Sequence, residues 1–352
     1  MKGTAIYPKI QAILAAVLFG ASSPLAKLLL NDISPVLLAA LLYLGCGFGL
    51  FIFRYFQNQI AGLASKEAGL TTLDVPWLIG AILCGGVAAP ISLMFSLKAT
   101  PAATASLLLN FEGVATSIIA VFIFKEALGK RVWSAIALIA LASIILTWDP
   151  NETWGVSWGA IGVILTCICW GLDNNLTRNI SAKDPLEIVA IKGITAGTVS
   201  LCIAMLIGCS IPKLTAVVAA ALLGFISYGL STILFILAMR SLGAARTSGF
   251  FGAAPFAGTL ISLLLFRELP GIMFLISLPF MIVGTILILR EDHSHLHRHT
   301  RVEHEHRHSH NDGHHNHQHE ENCTEFHSHR HVHEEIKHSH PHTPDIHHRH
   351  MH

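Results

Sequence analysis

Charged side chains are scarce in this sequence, and histidine is absent from most of it. Only 13% of the 352 residues are Asp, Glu, Lys or Arg, whereas a soluble domain usually carries about a quarter. All 23 histidines lie after residue 292, so the longer part of the chain offers no imidazole to a metal ion or to acid–base chemistry. The shortage of charge argues against a soluble protein, and the histidines divide the chain into two parts.

Disulfide patterns and enzyme motifs are also missing. Six of the seven cysteines lie inside long apolar stretches, and the seventh, Cys323, lies in a polar segment that we expect to be cytoplasmic, where disulfides rarely persist. The sequence has no nucleophile elbow, no phosphate-binding loop and no paired catalytic acids. We therefore expect neither a disulfide-stabilised secreted protein nor an enzyme, with no required cofactor and no nucleic-acid partner.

The first 290 residues instead contain apolar runs about as long as a bilayer is thick. A spanning helix needs roughly 20 apolar residues at 1.5 Å each. Most linkers between the runs are short, so we predict an all-α integral membrane protein of ten antiparallel helices, with the lipid bilayer as its first partner. The predicted spans are about 10–30, 35–56, 76–98, 102–124, 130–148, 157–178, 185–208, 213–239, 244–266 and 270–290.

Lysine and arginine indicate the orientation in the membrane, because they are enriched in cytoplasmic loops. With a cytoplasmic N-terminus, the inner loops of this part carry twelve Lys and Arg and the outer loops carry four. Ten spans return the chain to the cytoplasm. We therefore expect a multi-pass protein of the cell membrane, inner or plasma, with both termini cytoplasmic.

The apolar part contains an internal repeat. The segment FGASSPLAKLL at Phe19 matches WGLDNNLTRNI at Trp170 with an offset of 151 residues, and KE at Lys125 matches RE at Arg267 with an offset of 142. Each unit holds five helices, and an odd number inverts the second unit relative to the first, as in many secondary transporters. The predicted division is 1–148 for the first repeat, 149–290 for the second repeat and 291–352 for the tail.

Each repeat carries the same ordered set of features. These are a small-residue turn after a glycine in the first helix, a proline that opens the second, an Ala-rich start of the fourth with a basic–acidic pair at its end, and a closing Gly-containing apolar helix. With these features the sequence resembles the EamA-type members of the drug/metabolite transporter superfamily over about 290 residues. The resemblance implies a 5+5 arrangement, alternating access, and efflux or exchange of small organic molecules. The residues are Gly20 and Gly171, Pro35 and Pro185, Ala102–Ala105 and Ala244–Ala245, and the KE and RE pairs.

Few ionisable residues lie at membrane depth, where burial of a charge costs at least about 2.5–3.5 kcal/mol. Asp173 and Lys192 are expected at similar depth on adjacent helices, either as a structural ion pair or as one wall of the transport cavity. Glu112 has no basic residue at its depth in the fourth span or in the equivalent span of the second repeat, and desolvation favours its protonated form. It is either a carrier of a proton or a cationic substrate, or a hydrogen-bonded structural acid. The predicted substrate-binding residues are Glu112, Asn110, Asp173, Asn174, Lys192 and Trp170.

The tail holds all 23 histidines, many of them spaced as His-x-His among acidic residues. Apolar residues are nearly absent, so we predict a disordered segment. Imidazole suits Zn, Ni, Cu and Co, which predicts a multi-site chelator of divalent metal ions. The alternative is a purely electrostatic tail that gains charge as the pH falls through about 6.5. The predicted metal ligands are His304, His306, His308, His310, His314, His315, His317, His319, His327, His329, His331 and His333.

The apolar part lacks a path of His, Cys, Asp and Glu, which a dedicated metal channel would be expected to show. We therefore predict a secondary active transporter that exports small organic metabolites or drugs, with a cytoplasmic tail that senses, buffers or loads metal ions. Two alternatives stay open: a Zn, Ni or Co exporter fed by the tail, and a non-transporting membrane metal sensor. The sequence leaves the substrate open, and also whether the protein forms a homodimer.

Overall fold

The structure is a computed structural model that describes most of the apolar part of the chain and four short segments of the tail. The described residues are 6–61, 68–124, 128–149, 156–180, 183–242, 247, 250–267, 269–289, 294–298, 302–308, 327–333 and 337–341.

The first half of the apolar part is helical, as its long apolar runs predict, because only helices and closed barrels satisfy all backbone hydrogen bonds in lipid. One stretch changes to π-helical geometry in its middle. The elements are α1 (Ile6–Gly20), α2 (Ser22–Leu29), α3 (Pro35–Ala61), α4 (Val75–Ala81), the first π segment (Ile82–Ala88), α5 (Ala89–Ala99), α6 (Ala102–Leu108), α7 (Phe111–Phe122) and α8 (Lys130–Thr147).

The second half follows the same order of apolar runs, including the π-helical stretch, although its first run forms one unbroken helix. Pro185 stands at the first turn of its helix, where a missing N–H costs nothing, and the carboxylate of Asp184 accepts the backbone N–H of Leu186 at 3.0 Å. The elements are α9 (Trp158–Arg178), α10 (Pro185–Leu206), α11 (Leu214–Leu223), the second π segment (Gly224–Leu230), α12 (Ser231–Leu242), α13 (Ala254–Phe266) and α14 (Ile272–Leu289).

Within the described part of the chain, eight helical stretches are long and apolar enough to cross a membrane. They correspond to the first eight predicted spans. The shorter apolar helices α13 and α14 lie where the ninth and tenth spans were predicted. The protein is thus a multi-pass membrane protein by length and composition, while the count of ten spans stays a prediction.

The two halves pack on each other through equivalent contacts. Helix α1 lies against α12 and α13 of the second half, and α9 lies in the same way against α5 and α7 of the first. Helix α3 packs on α10, and α8 packs on α14. At the α3–α10 crossing, a Cβ added to Gly193 would lie 2.8 Å from the Cα of Gly47. Each of these contacts that a helix of the first half makes with the second half has an equivalent contact in the opposite direction. This is the pattern that a pseudo-two-fold axis produces.

The paired glycines of the repeat make two of these contacts possible. A Cβ on Gly20 would lie 2.2 Å from the carbonyl oxygen of Ala254, on α13. A Cβ on Gly171 would lie 2.8 Å from the backbone nitrogen of Thr116, on α7. Small residues let membrane helices approach this closely. The glycine pair therefore has the same packing role in both halves.

The described parts of the tail are extended and paired. Strand β1 (Ser294–Arg298) pairs with β4 (Lys337–Pro341), and β2 (Val302–His308) pairs with β3 (His327–His333), both antiparallel. In these segments the structure differs from the disordered tail that we predicted. The low apolar content excludes a core, but a ladder satisfies backbone groups without one, and His-x-His alternation has the two-residue period of a strand.

Candidate functional site

A cavity of about 240 Å³ lies between the two halves. Both repeats contribute to its wall, as expected for a site at the interface of inverted repeats. It is lined by Phe19, Tyr43, Cys46, Glu112, Trp170, Asp173, Asn174, Val189, Lys192, Gly193, Tyr228, Thr232 and Phe251.

Aromatic rings form a large part of this wall. The ring of Phe19 lies 6.3 Å from that of Trp170, 5.7 Å from that of Tyr228 and 5.3 Å from that of Phe251, between centroids. The Tyr43 and Tyr228 rings are 5.7 Å apart. These distances are typical of packed aromatic pairs. The cavity therefore presents a continuous aromatic surface that joins α1, α3 and α9 to the second π segment.

Glu112 supplies a carboxylate to the cavity from the first turn of α7. Its Oε1 accepts a hydrogen bond from Nδ2 of Asn174 at 2.9 Å, and the same amide donates to Thr116 Oγ1 at 3.2 Å. Within the described ranges, no Lys or Arg lies within salt-bridge distance of Glu112. An amide partner supports the carboxylate but does not neutralise it.

Asp173 and Lys192 form the second charged feature. The expected ion pair between them is present, and Asp173 Oδ1 also accepts a hydrogen bond from Thr177 Oγ1 at 3.0 Å. Asp173 is buried, and a Cβ on Gly85 would lie only 2.0 Å from its Oδ2. Glycine at position 85 therefore lets the first π segment approach the ion pair.

The charges of the described lining residues do not cancel. The Asp173–Lys192 pair is neutral as a unit, so ionised Glu112 leaves one negative charge among aromatic rings. Such a carboxylate can hold either a proton or an organic cation, and the faces of the rings attract cations. The arrangement is suited to binding a small molecule that carries one positive charge.

Asn110 is the one predicted substrate-binding residue that the structure does not bring to the cavity. Its Nδ2 donates to the carbonyl oxygen of Leu107 at 2.9 Å, and its Oδ1 accepts from Thr285 Oγ1 at 3.2 Å. The helix is interrupted between α6 and α7 at this point, which turns the side chain toward α14. The other five predicted residues line the cavity together.

Sequence reasoning did not select Tyr43, Tyr228 and Phe251. Phe19 could have been predicted from the sequence, because it occupies the position in the first repeat that Trp170 occupies in the second. For the other three, an aromatic residue in an apolar run looks the same whether it faces lipid or a cavity.

No group of three or more His, Cys, Asp or Glu side chains that could hold a metal ion occurs in the described part of the chain. Of the predicted tail ligands, some fall on strands whose backbone alone is described, and others lie outside the described residues. The first group is His304, His306, His308, His327, His329, His331 and His333, and the second is His310, His314, His315, His317 and His319.

The EamA-like transporter family matches this chain twice, over residues 8–148 and 157–290. A protein of Methanothermobacter thermautotrophicus described as an uncharacterized transporter is 28% identical over 291 residues, which is 79% of this chain and 85% of that protein. A crystal structure with 19% identity superimposes with a TM-score of 0.55 and covers 79% of this chain and 94% of its own, which supports the fold alone. The two family matches together cover most of the sequence, and the chain belongs to the EamA-like transporter family.

Proposed function

We propose that this membrane transporter is a secondary active exporter of small organic cations, which it carries by alternating access of the central cavity. The observation that carries the proposal is the unneutralised carboxylate of Glu112 in a cavity walled by aromatic rings and shared by both repeats. A volume of about 240 Å³ lies below the roughly 300–1,000 Å³ of drug-sized sites. A substrate of one or two rings fits this size.

Proton exchange supplies the coupling in this proposal. Glu112 binds either a proton or the cation, so entry of one proton releases one substrate cation. Among the described residues, the ionisable groups that interact electrostatically with Glu112 are Asp173, Lys192, Tyr228 and Cys167. Since Asp173 and Lys192 are paired, Glu112 is the group whose protonation controls cation binding. Affinity for the cation should therefore rise as the pH rises through the titration of Glu112.

Benzyltrimethylammonium is a suitable probe, and neopentylbenzene is its neutral isostere, with carbon in place of the charged nitrogen. We expect purified full-length protein to bind the cation and release about one proton per cation bound, measured by calorimetry in two buffers of different ionisation enthalpy. In proteoliposomes, an imposed proton gradient should drive uptake of the radiolabelled cation. Equal binding of the neutral isostere, or binding without proton release, would contradict the proposal.

We also propose that the tail is cytoplasmic and binds divalent transition metal ions such as Zn, Ni, Co or Cu. The excess of Lys and Arg in the inner loops supports the orientation. The register of β2 and β3 supports the metal site, because it places histidines opposite one another at every second position. An isolated two-stranded pair is marginal in water, so metal binding would stabilise it. The opposed pairs are His304 and His331, His306 and His329, and His308 and His327.

Deleting residues 293–352 is expected to leave an inserted body that still transports the cation, because the tail has too little apolar surface to pack on it. Zinc binding, and any response of transport to zinc, should be lost. In the full-length protein, zinc affinity should fall below about pH 6.5, where protons compete for imidazole. A reporter fused at residue 352 should be cytoplasmic. A truncated protein that inserts but transports nothing would place the tail in the transport path and favour the metal-exporter alternative.

A matched pair of variants tests whether zinc binding depends on the pairing of histidines across β2 and β3 or only on the number of histidines. One variant changes six opposed histidines to asparagine, and its control changes six others, so the composition of both is equal. We expect the first to lose more bound zinc in equilibrium dialysis of the full-length protein. Equal losses would leave a chelator without a shaped site. The first set is His304, His306, His308, His327, His329 and His331, and the second is His310, His314, His315, His317, His319 and His342.

A further inference from the structure

The two π segments occupy equivalent positions in the repeats. Ile82–Ala88 and Gly224–Leu230 are separated by 142 residues, the same offset that relates the ends of the fourth helices. Both segments contact the cavity region, since Gly85 lies against Asp173 and Tyr228 lines the wall. π-Helical turns inside α-helices are frequent at functional sites. Their backbone hydrogen bonds can therefore indicate how the cavity is built.

In the first π segment, the carbonyl oxygen of Gly85 has lost both regular backbone donors. The N–H of Ala89, its donor in an α-helix, bonds instead to the carbonyl of Cys84. The donor in π geometry would be residue 90, which is a buried proline without an N–H. A buried carbonyl without a partner costs free energy, so other donors must reach it.

Two cavity residues supply those donors, one from each repeat. The hydroxyl of Tyr43 donates to the Gly85 carbonyl at 2.8 Å, and Nε1 of Trp170 donates to it at 3.1 Å. A carbonyl oxygen has two lone pairs, and these two bonds occupy both. The polar ends of the two rings are thereby fixed, and neither donor is available to a substrate.

The second repeat lacks this arrangement. The residue equivalent to Pro90 is Thr232, which keeps its backbone N–H. Its hydroxyl donates to the carbonyl of Tyr228 at 2.5 Å, so its side-chain bond stays within its own helix. The carbonyl that accepts hydrogen bonds from cavity side chains therefore belongs to the first repeat. Its lack of a backbone donor depends on the proline of that repeat.

We propose that Pro90 is a positioning residue of the cation site. Pro90 removes the backbone donor to the Gly85 carbonyl, so this carbonyl accepts hydrogen bonds from the side chains of Tyr43 and Trp170. The aromatic rings of both residues then line the cavity, while their hydrogen-bond donors are occupied. The site consequently favours cations over substrates with hydrogen-bond acceptors or negative charge. The inference on specificity rests on the proposed function, whereas the hydrogen-bond arrangement can be tested without any ligand.

The variant Pro90→Ala restores a backbone N–H at residue 90, which competes for a lone pair of Gly85. The test uses full-length protein in which Trp170 is the sole tryptophan, and it follows the indole N–H marker in ultraviolet resonance Raman spectra. We expect Pro90→Ala to shift this marker toward a weaker hydrogen bond and to raise the Kd of benzyltrimethylammonium roughly tenfold. Binding of benzylsulfonate, an anion of similar size, should not weaken. The five tryptophans replaced by phenylalanine are Trp77, Trp133, Trp148, Trp154 and Trp158.

Two further variants make the result decisive. Pro279→Ala adds an N–H to α14, away from the cavity, and should leave the Trp170 marker and the Kd unchanged. In a Tyr43→Phe background one lone pair of Gly85 is free, so adding Pro90→Ala should produce no further shift of the marker. If Pro90→Ala alone folds poorly, the double variant can still be measured, because the lone pair that Tyr43→Phe frees can accept the new N–H.

An unchanged Trp170 marker in Pro90→Ala would overturn the positioning role. So would additive effects of Pro90→Ala and Tyr43→Phe, because residues that act through one carbonyl should not be independent. A shifted marker without any binding of benzyltrimethylammonium to the parent protein would retain the hydrogen-bond arrangement and remove the cation site. The two proposals therefore fail in different ways.

Discussion

Replacing Glu112 with glutamine is expected to abolish proton-coupled transport of benzyltrimethylammonium, with a loss of at least about 100-fold. Glutamine keeps the carbonyl oxygen that accepts the bond from Asn174 but carries neither a proton nor a negative charge at this position. The cation loses its only unpaired counter-charge among the described lining residues, and a coupling of a few kcal/mol in a low-dielectric site corresponds to this loss. The measurement is gradient-driven uptake into proteoliposomes.

The matched control is Glu187→Gln, which removes the same charge at the start of α10, outside the cavity lining. It should transport as the parent does. Insertion and melting temperature of Glu112→Gln should also match the parent, because the hydrogen bond is conserved. Normal transport by Glu112→Gln would assign this carboxylate a structural role and remove the proposed coupling.

Replacing Asp173 with asparagine is expected to have the second largest effect, on both stability and binding. Lys192 would remain as a largely buried ammonium without a counter-charge, and breaking such a pair costs about 3–5 kcal/mol. The freed ammonium would also be drawn to Glu112 and would compete with the substrate cation. We therefore expect a lower melting temperature together with a Kd that rises more than tenfold, measured by thermal unfolding and by calorimetry.

The double variant Asp173→Asn/Lys192→Met tests which of the two roles dominates. It removes both charges, so most of the lost stability should return, and Glu112 should again bind the cation. Recovery of stability without recovery of affinity would mean that the ion pair itself forms part of the binding wall. No recovery of either would contradict the electrostatic argument.

The charged members of the site were accessible from the sequence because ionisable residues are rare at membrane depth. Asp173 and Lys192 were expected at similar depth on neighbouring helices, and the structure contains that ion pair. Asn110 was selected as a polar residue beside Glu112, and it faces α14 instead. Depth along a helix can be read from sequence, but the side to which a residue points depends on local breaks such as the one between α6 and α7.

The sequence by itself determined the membrane class, the repeat and the family resemblance, because apolar run length, charge spacing and repeated motifs are properties of the chain. Only the tertiary structure decided which aromatic rings meet in the cavity, since Phe19, Tyr43 and Tyr228 come from three separate elements. It also decided the partners of the Gly85 carbonyl. A proline in an apolar run predicts a missing backbone donor. Which side chains replace that donor depends on the packing of the two repeats, which brings together Gly85 and Trp170, 85 residues apart in the chain.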